Sequence, residues 1–150
     1  MPSEEYSPVQ IPPAGPPRGA ASWFGDLDQA DFEIEFLERI LARAPGHVSV
    51  LRALGELLAR KGLWERSLKV EERLIELRPE DGIAHYNLAC SLAMQGAANQ
   101  AIDALTRAID HGYRDFGHLE VDPDLDGLRH LPAYRALLRR YREARITKVE

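Results

Sequence analysis

The sequence predicts an all-α fold in which helical hairpins stack into a right-handed solenoid fragment. Three observations predict it. No stretch sustains the apolar–polar alternation of a β-strand. Apolar residues recur instead at three- and four-residue spacing, the period of one helix face. The chain also repeats itself. A shift of 34 residues lays 48–81 on 82–115 and aligns Leu54 with Leu88, Leu58 with Leu92, Ala59 with Ala93 and Gly62 with Gly96. It also aligns Arg73 with Arg107, Ile75 with Ile109 and Asp81 with Asp115. These are seven identities, where chance gives about two at ordinary composition.

The elements follow in order. Six prolines lie within the first 17 residues. Each fixes its own φ and disfavours helix at the residue before it. Residues 1–27 therefore read as a Pro-rich, acidic, disordered tail, and the Pro13–Pro16 match to a PxxP ligand reads as tail composition. Trp23 and Phe24 precede the first helix, where they could staple back onto it or fill a partner's pocket; the staple is favoured. Asp28 is the expected N-cap of that helix, with Asp31 in the first turn, where the helix dipole favours acids. Phe32, Phe36, Leu37, Ile40 and Leu41 form its apolar stripe, which ends near Ala44-Pro45-Gly46.

Four helical stretches follow as two pairs, at 48–61, 64–77, 82–95 and 98–111. Gly62 and Gly96 fall where a first helix must end and the chain reverse, which suits a residue tolerant of positive φ. Small residues at Gly55 and Ala89, and at Ser67 and Ala101, let the two helices of a pair approach closely. A hairpin of this kind cannot bury its stripe alone, so neighbours must stack. Beyond the second pair, Asp122-Pro123-Asp124 marks a turn and Pro132 suits the first turn of a last helix. Leu131, Tyr134, Leu137, Leu138 and Tyr141 form the apolar stripe of that helix. The expected organisation is a tail at 1–27, a half-repeat at 28–47, repeats at 48–81 and 82–115, a closing unit at 116–146 and a tail at 147–150.

Charge follows the same division. The 150 residues carry a net charge of −5. Residues 1–38 hold eight acids against one base, whereas the rest hold 16 acids and 18 bases. A net acidic chain argues against general nucleic-acid binding. One cysteine, Cys90, excludes an internal disulfide framework and a Cys-rich zinc module. No apolar run approaches the roughly 20 residues of a membrane helix. The N-terminus shows no secretory signal, so a cytoplasmic location is expected. The bias of 16 Arg over 3 Lys fits a GC-rich bacterial genome.

The 34-residue pattern resembles the tetratricopeptide repeat (TPR). Leu54-Gly55, Leu58, Gly62, Trp64, Ser67 and Pro79 carry the resemblance in the first repeat. Leu88-Ala89, Leu92, Gly96, Ala101 and Ala108 carry it in the second. Residues 116–146 resemble the segment that closes many bacterial arrays of this kind. The departures are Leu51 and His85 for the usual Trp, Glu71 for an aromatic, Leu74 for a small Ala and Tyr113 for the Pro. The resemblance implies a non-enzymatic adaptor or scaffold that binds a protein, peptide or partner helix in a concave groove. It places Arg52, Glu56 and Arg60 on that groove from the first repeat, and Ile83, Tyr86, Asn87, Cys90 and Met94 from the second. A competing reading packs Tyr86, Cys90 and Met94 against neighbouring helices or the terminal segment. The clamp that some family members close on a C-terminal carboxylate is disfavoured, because Glu56 would repel it.

Two other functions stay open. One is a cytoplasmic chaperone for a partner protein. The other is binding of an anionic surface or nucleic acid through Arg135, Arg139, Arg140, Arg142 and Arg145 on the last helix. Exposed array ends also allow self-association. No catalytic constellation is legible. Cys90 and His85 would lie about 140° apart around one helix. His111, Asp115 and His118 match no common zinc spacing, and Asp122, Asp124 and Asp126 lack the Glu that completes a calcium loop. No phosphate-loop, dinucleotide or hydrolase motif occurs. The sequence therefore predicts no enzyme activity, cofactor or metal.

Overall fold

The computed structural model describes residues 28–147. The expectations for the Pro-rich segment, Trp23 and Phe24 lie outside these residues. Seven α-helices and one 3-10 turn make up the described chain, with no strand among them. They are α1 (Gln29–Arg43), α2 (Val48–Arg60), α3 (Trp64–Leu77), α4 (Gly82–Met94), α5 (Ala98–Asp110), α6 (Phe116–Val121), the 3-10 turn Pro123–Leu128, and α7 (Pro132–Thr147).

Local chemistry sets the boundaries. Asp28 caps α1 by accepting from the Asp31 amide at 2.9 Å. Asp81 caps α4 by accepting from the Ile83 and Ala84 amides. Its repeat equivalent, Asp115, caps α6 by accepting from the His118 amide. Gly62, Gly96 and Gly112 take φ of 71°, 80° and 98°, and each follows the end of a helix. There the amide after each glycine bonds back to a carbonyl inside the finished helix: Leu63 to Leu58, Ala97 to Leu92 and Tyr113 to Ala108, all at 2.9 Å. Pro132 opens α7, where its missing N–H is no loss.

Within the first hairpin, α2 packs on α3; within the second, α4 packs on α5; and α3 joins the two by packing on α4. α1 covers α2 through Ile34, Leu37 and Leu41 against Leu54, Leu57 and Leu58. Leu51, Leu74 and Ala84 form the seam between the hairpins. The largest core lies in the second half. There α4 and α5 bury Ala89, Leu105 and Ile109 together with Leu119, Leu125, Leu128, Tyr134 and Leu137 of the closing unit. The expected small-residue contacts are present. Ser67, Ala89 and Ala101 are fully buried, and Ser67 Oγ donates to the Gly55 carbonyl at 3.3 Å.

Two features lie beyond what the sequence specified. α6 is a separate short helix at the start of the closing unit, where the Asp115 side chain supplies an N-cap. Glu71, which replaces an expected aromatic, lies at 0% exposure between α2 and α4.

Candidate functional site

α2 and α4 touch, and the 3-10 turn also packs on α4. These elements form the inner layer of the array. The repeat register makes Arg52 equivalent to Tyr86, Glu56 to Cys90 and Arg60 to Met94. The two halves of this layer are nevertheless finished differently.

On α2, Arg52, Glu56 and Arg60 share one face at i, i+4 and i+8. Glu56 and Arg60 are exposed. Arg52 is half-buried and pairs with Asp81, the cap of α4, so one guanidinium arm ties the hairpins together. Its other arm, Nη1, is buried without a hydrogen-bond partner. Close to it lies Glu71, and neither of its carboxylate oxygens makes a hydrogen bond of ordinary geometry. Burial pushes this carboxyl up to about 8; the Arg52 charge and the nearby Asn87 side chain oppose the shift, and the Asp81 and Glu56 charges add to it. Gly55 makes room for the group, since a Cβ there would overlap Glu71 Oε1.

On α4, Ile83 and Met94 are open, at 53% and 44% exposure, and Asn87 is half-buried. Tyr86 and Cys90 are not open. They are 4% and 6% exposed. This corrects their assignment to an open groove. Tyr113 stacks on the Tyr86 ring with centroids 4.2 Å apart and planes within 4°. The Tyr86 hydroxyl donates to Asp122 Oδ2 at 2.5 Å, and Cys90 Sγ donates to the same oxygen at 3.7 Å. Burial raises both groups well above their ordinary pKa, so phenol and thiol are held neutral. Asp122 also caps the 3-10 turn through the Asp124 amide at 3.0 Å. Arg129 donates to the Asp122 carbonyl at 2.6 Å and fixes the turn from behind. The closing unit thus seals the middle of the α4 inner face, around Tyr86 and Cys90, and leaves Ile83 and Met94 at its two ends open.

Sequence reasoning missed this seal. Tyr86 and Asp122 are separated by 36 residues, and no local periodicity links them. Tyr113 standing where the resemblance expects Pro was the one available signal.

The predicted basic strip is divided by its own partners. Arg142 pairs with Glu120, and Arg140 lies 3.7 Å from Asp110 and over the Tyr141 ring. Arg135 donates to the Arg129 carbonyl at 3.2 Å, whereas Arg139 and Arg145 are exposed. Arg142 and Arg145 line a surface recess with Phe116, Gly117, Glu120 and Tyr141. Among the described residues, one group of metal-ligating side chains converges: Cys90, Asp122 and Asp124, with ligand atoms all within 4.8 Å of one another. No described helix is long and apolar enough to cross a membrane.

A solved structure described as MamA RS-1 ArsTM double mutant superposes on the chain with a TM-score of 0.55 at 18% identity, covering 75% of this chain and 67% of that one. The fold is a TPR-like helical-repeat solenoid. A segment of 97 residues is 30% identical to a chloroplastic protein of Arabidopsis thaliana. That match takes in 63% of this chain but spans only 29% of the relative's length. No family model matches the sequence.

Proposed function

We propose that the protein is a non-enzymatic adaptor of the TPR family, with residues 116–146 as its closing unit. It binds a protein segment on the part of the inner face left open. One observation carries this reading: the array offers Ile83 and Met94 to solvent beside Asn87, Arg52 and Glu56, while sealing the equivalent surface around Tyr86 and Cys90. Two exposed large apolar side chains at the two ends of α4, with half-buried Asn87 between them, suit an elongated partner such as a helix or extended peptide. Arg60 extends the same face. A cytoplasmic location and a bacterial origin belong to this proposal, as does the division into tail, half-repeat, two repeats and closing unit. The chaperone alternative uses the same surface. The anionic-surface alternative is weakened by the Glu120 and Asp110 partners of Arg142 and Arg140.

The test is a capture experiment with three versions of the full chain. Wild type, Ile83→Asp/Asn87→Arg on the inner face and Arg73→Glu on the exposed side of α3 are compared. Proteins held by wild type should fall at least about tenfold with the inner-face variant and stay unchanged with Arg73→Glu. Equal capture by all three would overturn the assignment.

A further inference from the structure

We infer that Cys90, Asp122 and Asp124 form a binding site for a divalent transition metal of the zinc type, which fastens the closing unit to the second repeat. Such a site is separate from partner binding and does not depend on it. The donor set is mixed: one sulfur and two carboxylate oxygens, with the His118 imidazole resting on the Asp122 carboxylate from outside the set. That composition suits a borderline-soft ion better than calcium or magnesium, which take oxygen.

Geometry supports the assignment. Around a tetrahedral zinc, with bonds of about 2.3 Å to sulfur and about 2.0 Å to oxygen, a sulfur–oxygen edge is about 3.5 Å. Cys90 Sγ lies 3.7 Å from Asp122 Oδ2. The Asp124 carboxylate falls within the 4.8 Å set formed with Cys90 and Asp122. It is half-buried and makes no hydrogen bond or ion pair among the described residues, although its neighbour in the cluster is another carboxylate. A cation there gives the Asp124 carboxylate the partner that Asp122 already has in Tyr86 and the Asp124 amide.

The surroundings have the form of a supporting shell. The Tyr86 hydroxyl donates to the carboxylate of Asp122, and the Asp124 amide holds its other oxygen at 3.0 Å. Such bonds orient a ligating carboxylate. Cys90 and Asp122 are buried, while Asp124 and His118 reach the surface and provide a way in. The ligands come from α4 and from the 3-10 turn with its cap, so the ion would bridge two units that are otherwise joined by packing, by the Tyr86 and Cys90 bonds to Asp122 and by the Asp110 contacts of Tyr141 and Arg140. Binding is balanced as follows: the Cys90 thiol gives its proton to solvent, the thiolate sulfur donates to the metal, and no electron is transferred.

The test uses Co(II) and Zn(II) with the reduced full chain. One equivalent of Co(II) should produce thiolate-to-cobalt charge-transfer absorption, which Zn(II) then abolishes by displacement. Cys90→Ser should remove the absorption. Asp124→Asn, which disturbs no hydrogen bond of its side chain, should weaken binding at least about tenfold. His111→Ala, outside the donor set, should leave it unchanged. Circular dichroism establishes that each variant is folded. The absence of thiolate–cobalt absorption at stoichiometric metal would overturn the site, as would binding indifferent to both Cys90→Ser and Asp124→Asn.

Discussion

The two repeats answer the same packing problem with opposite chemistry. At one register position the first repeat buries Glu71 and the second buries Leu105, both at 0% exposure. Facing them are Gly55 and Ala89. In the second repeat, Leu105 joins a continuous apolar cluster that runs into the closing unit. In the first, a carboxyl group occupies the gap over Gly55 with no well-formed hydrogen bond to either oxygen. A buried polar group without partners is destabilising. The periodicity that defines a repeat therefore fixes where side chains point and not what they contribute. The larger apolar cluster joins the second repeat to the closing unit, and the first repeat carries the buried carboxyl group.

Exchanging the two residues sharpens this contrast. Leu105→Glu places a carboxyl group where Ala89 leaves less room than Gly55 does, within an otherwise apolar cluster. It should destabilise the protein by about 4 kcal/mol, or fail to fold. Glu71→Leu removes a buried carboxyl group that makes no hydrogen bond of ordinary geometry and should be neutral or stabilising by about 1 kcal/mol. Chemical denaturation of both variants checks the pair. Equal destabilisation by the two would erase the proposed difference between repeats.

A smaller effect follows from Glu71 alone. Its folded pKa, about 8, lies above the ordinary value of 4.5. Between those values the folded state holds a proton that the unfolded state has lost. The contribution of this group to stability is therefore fully present below about pH 4.5 and declines as pH rises through about 8. Glu71→Gln should flatten that decline and unfold a few degrees higher than wild type at pH 8, by the usual relation of stability to Tm. Parallel curves of Tm against pH for the two proteins would show that Glu71 is not held protonated.

The features legible in the sequence were those with local or periodic causes. Gly62 and Gly96 mark reversals because their φ is positive, and Asp28 marks a helix start because its side chain accepts from Asp31. Helices 48–61, 64–77, 82–95 and 98–111 follow from apolar spacing, and the observed helices agree to within about two residues at each end. The candidate site was only half legible. Ile83, Asn87 and Met94 could be placed on a face from spacing. The burial of Tyr86 and Cys90 could not, because Tyr113 reaches Tyr86 only after α5, and Asp122 reaches both only after α6. The mixed donor set is hidden for the same reason: Cys90 and Asp122 are 32 residues apart.

The central claim is that the closing unit covers the inner face around Tyr86 and Cys90 and leaves the rest of that face open. Cys90 is the chain's one cysteine, and it lies at that boundary. Its rate of modification by a thiol reagent, measured in the presence of a chelator, reads the seal directly. Labelling in the native protein should be at least about 100-fold slower than in the urea-unfolded chain, since it must wait for local opening. A native rate close to the unfolded rate would mean that the closing unit does not cover this face.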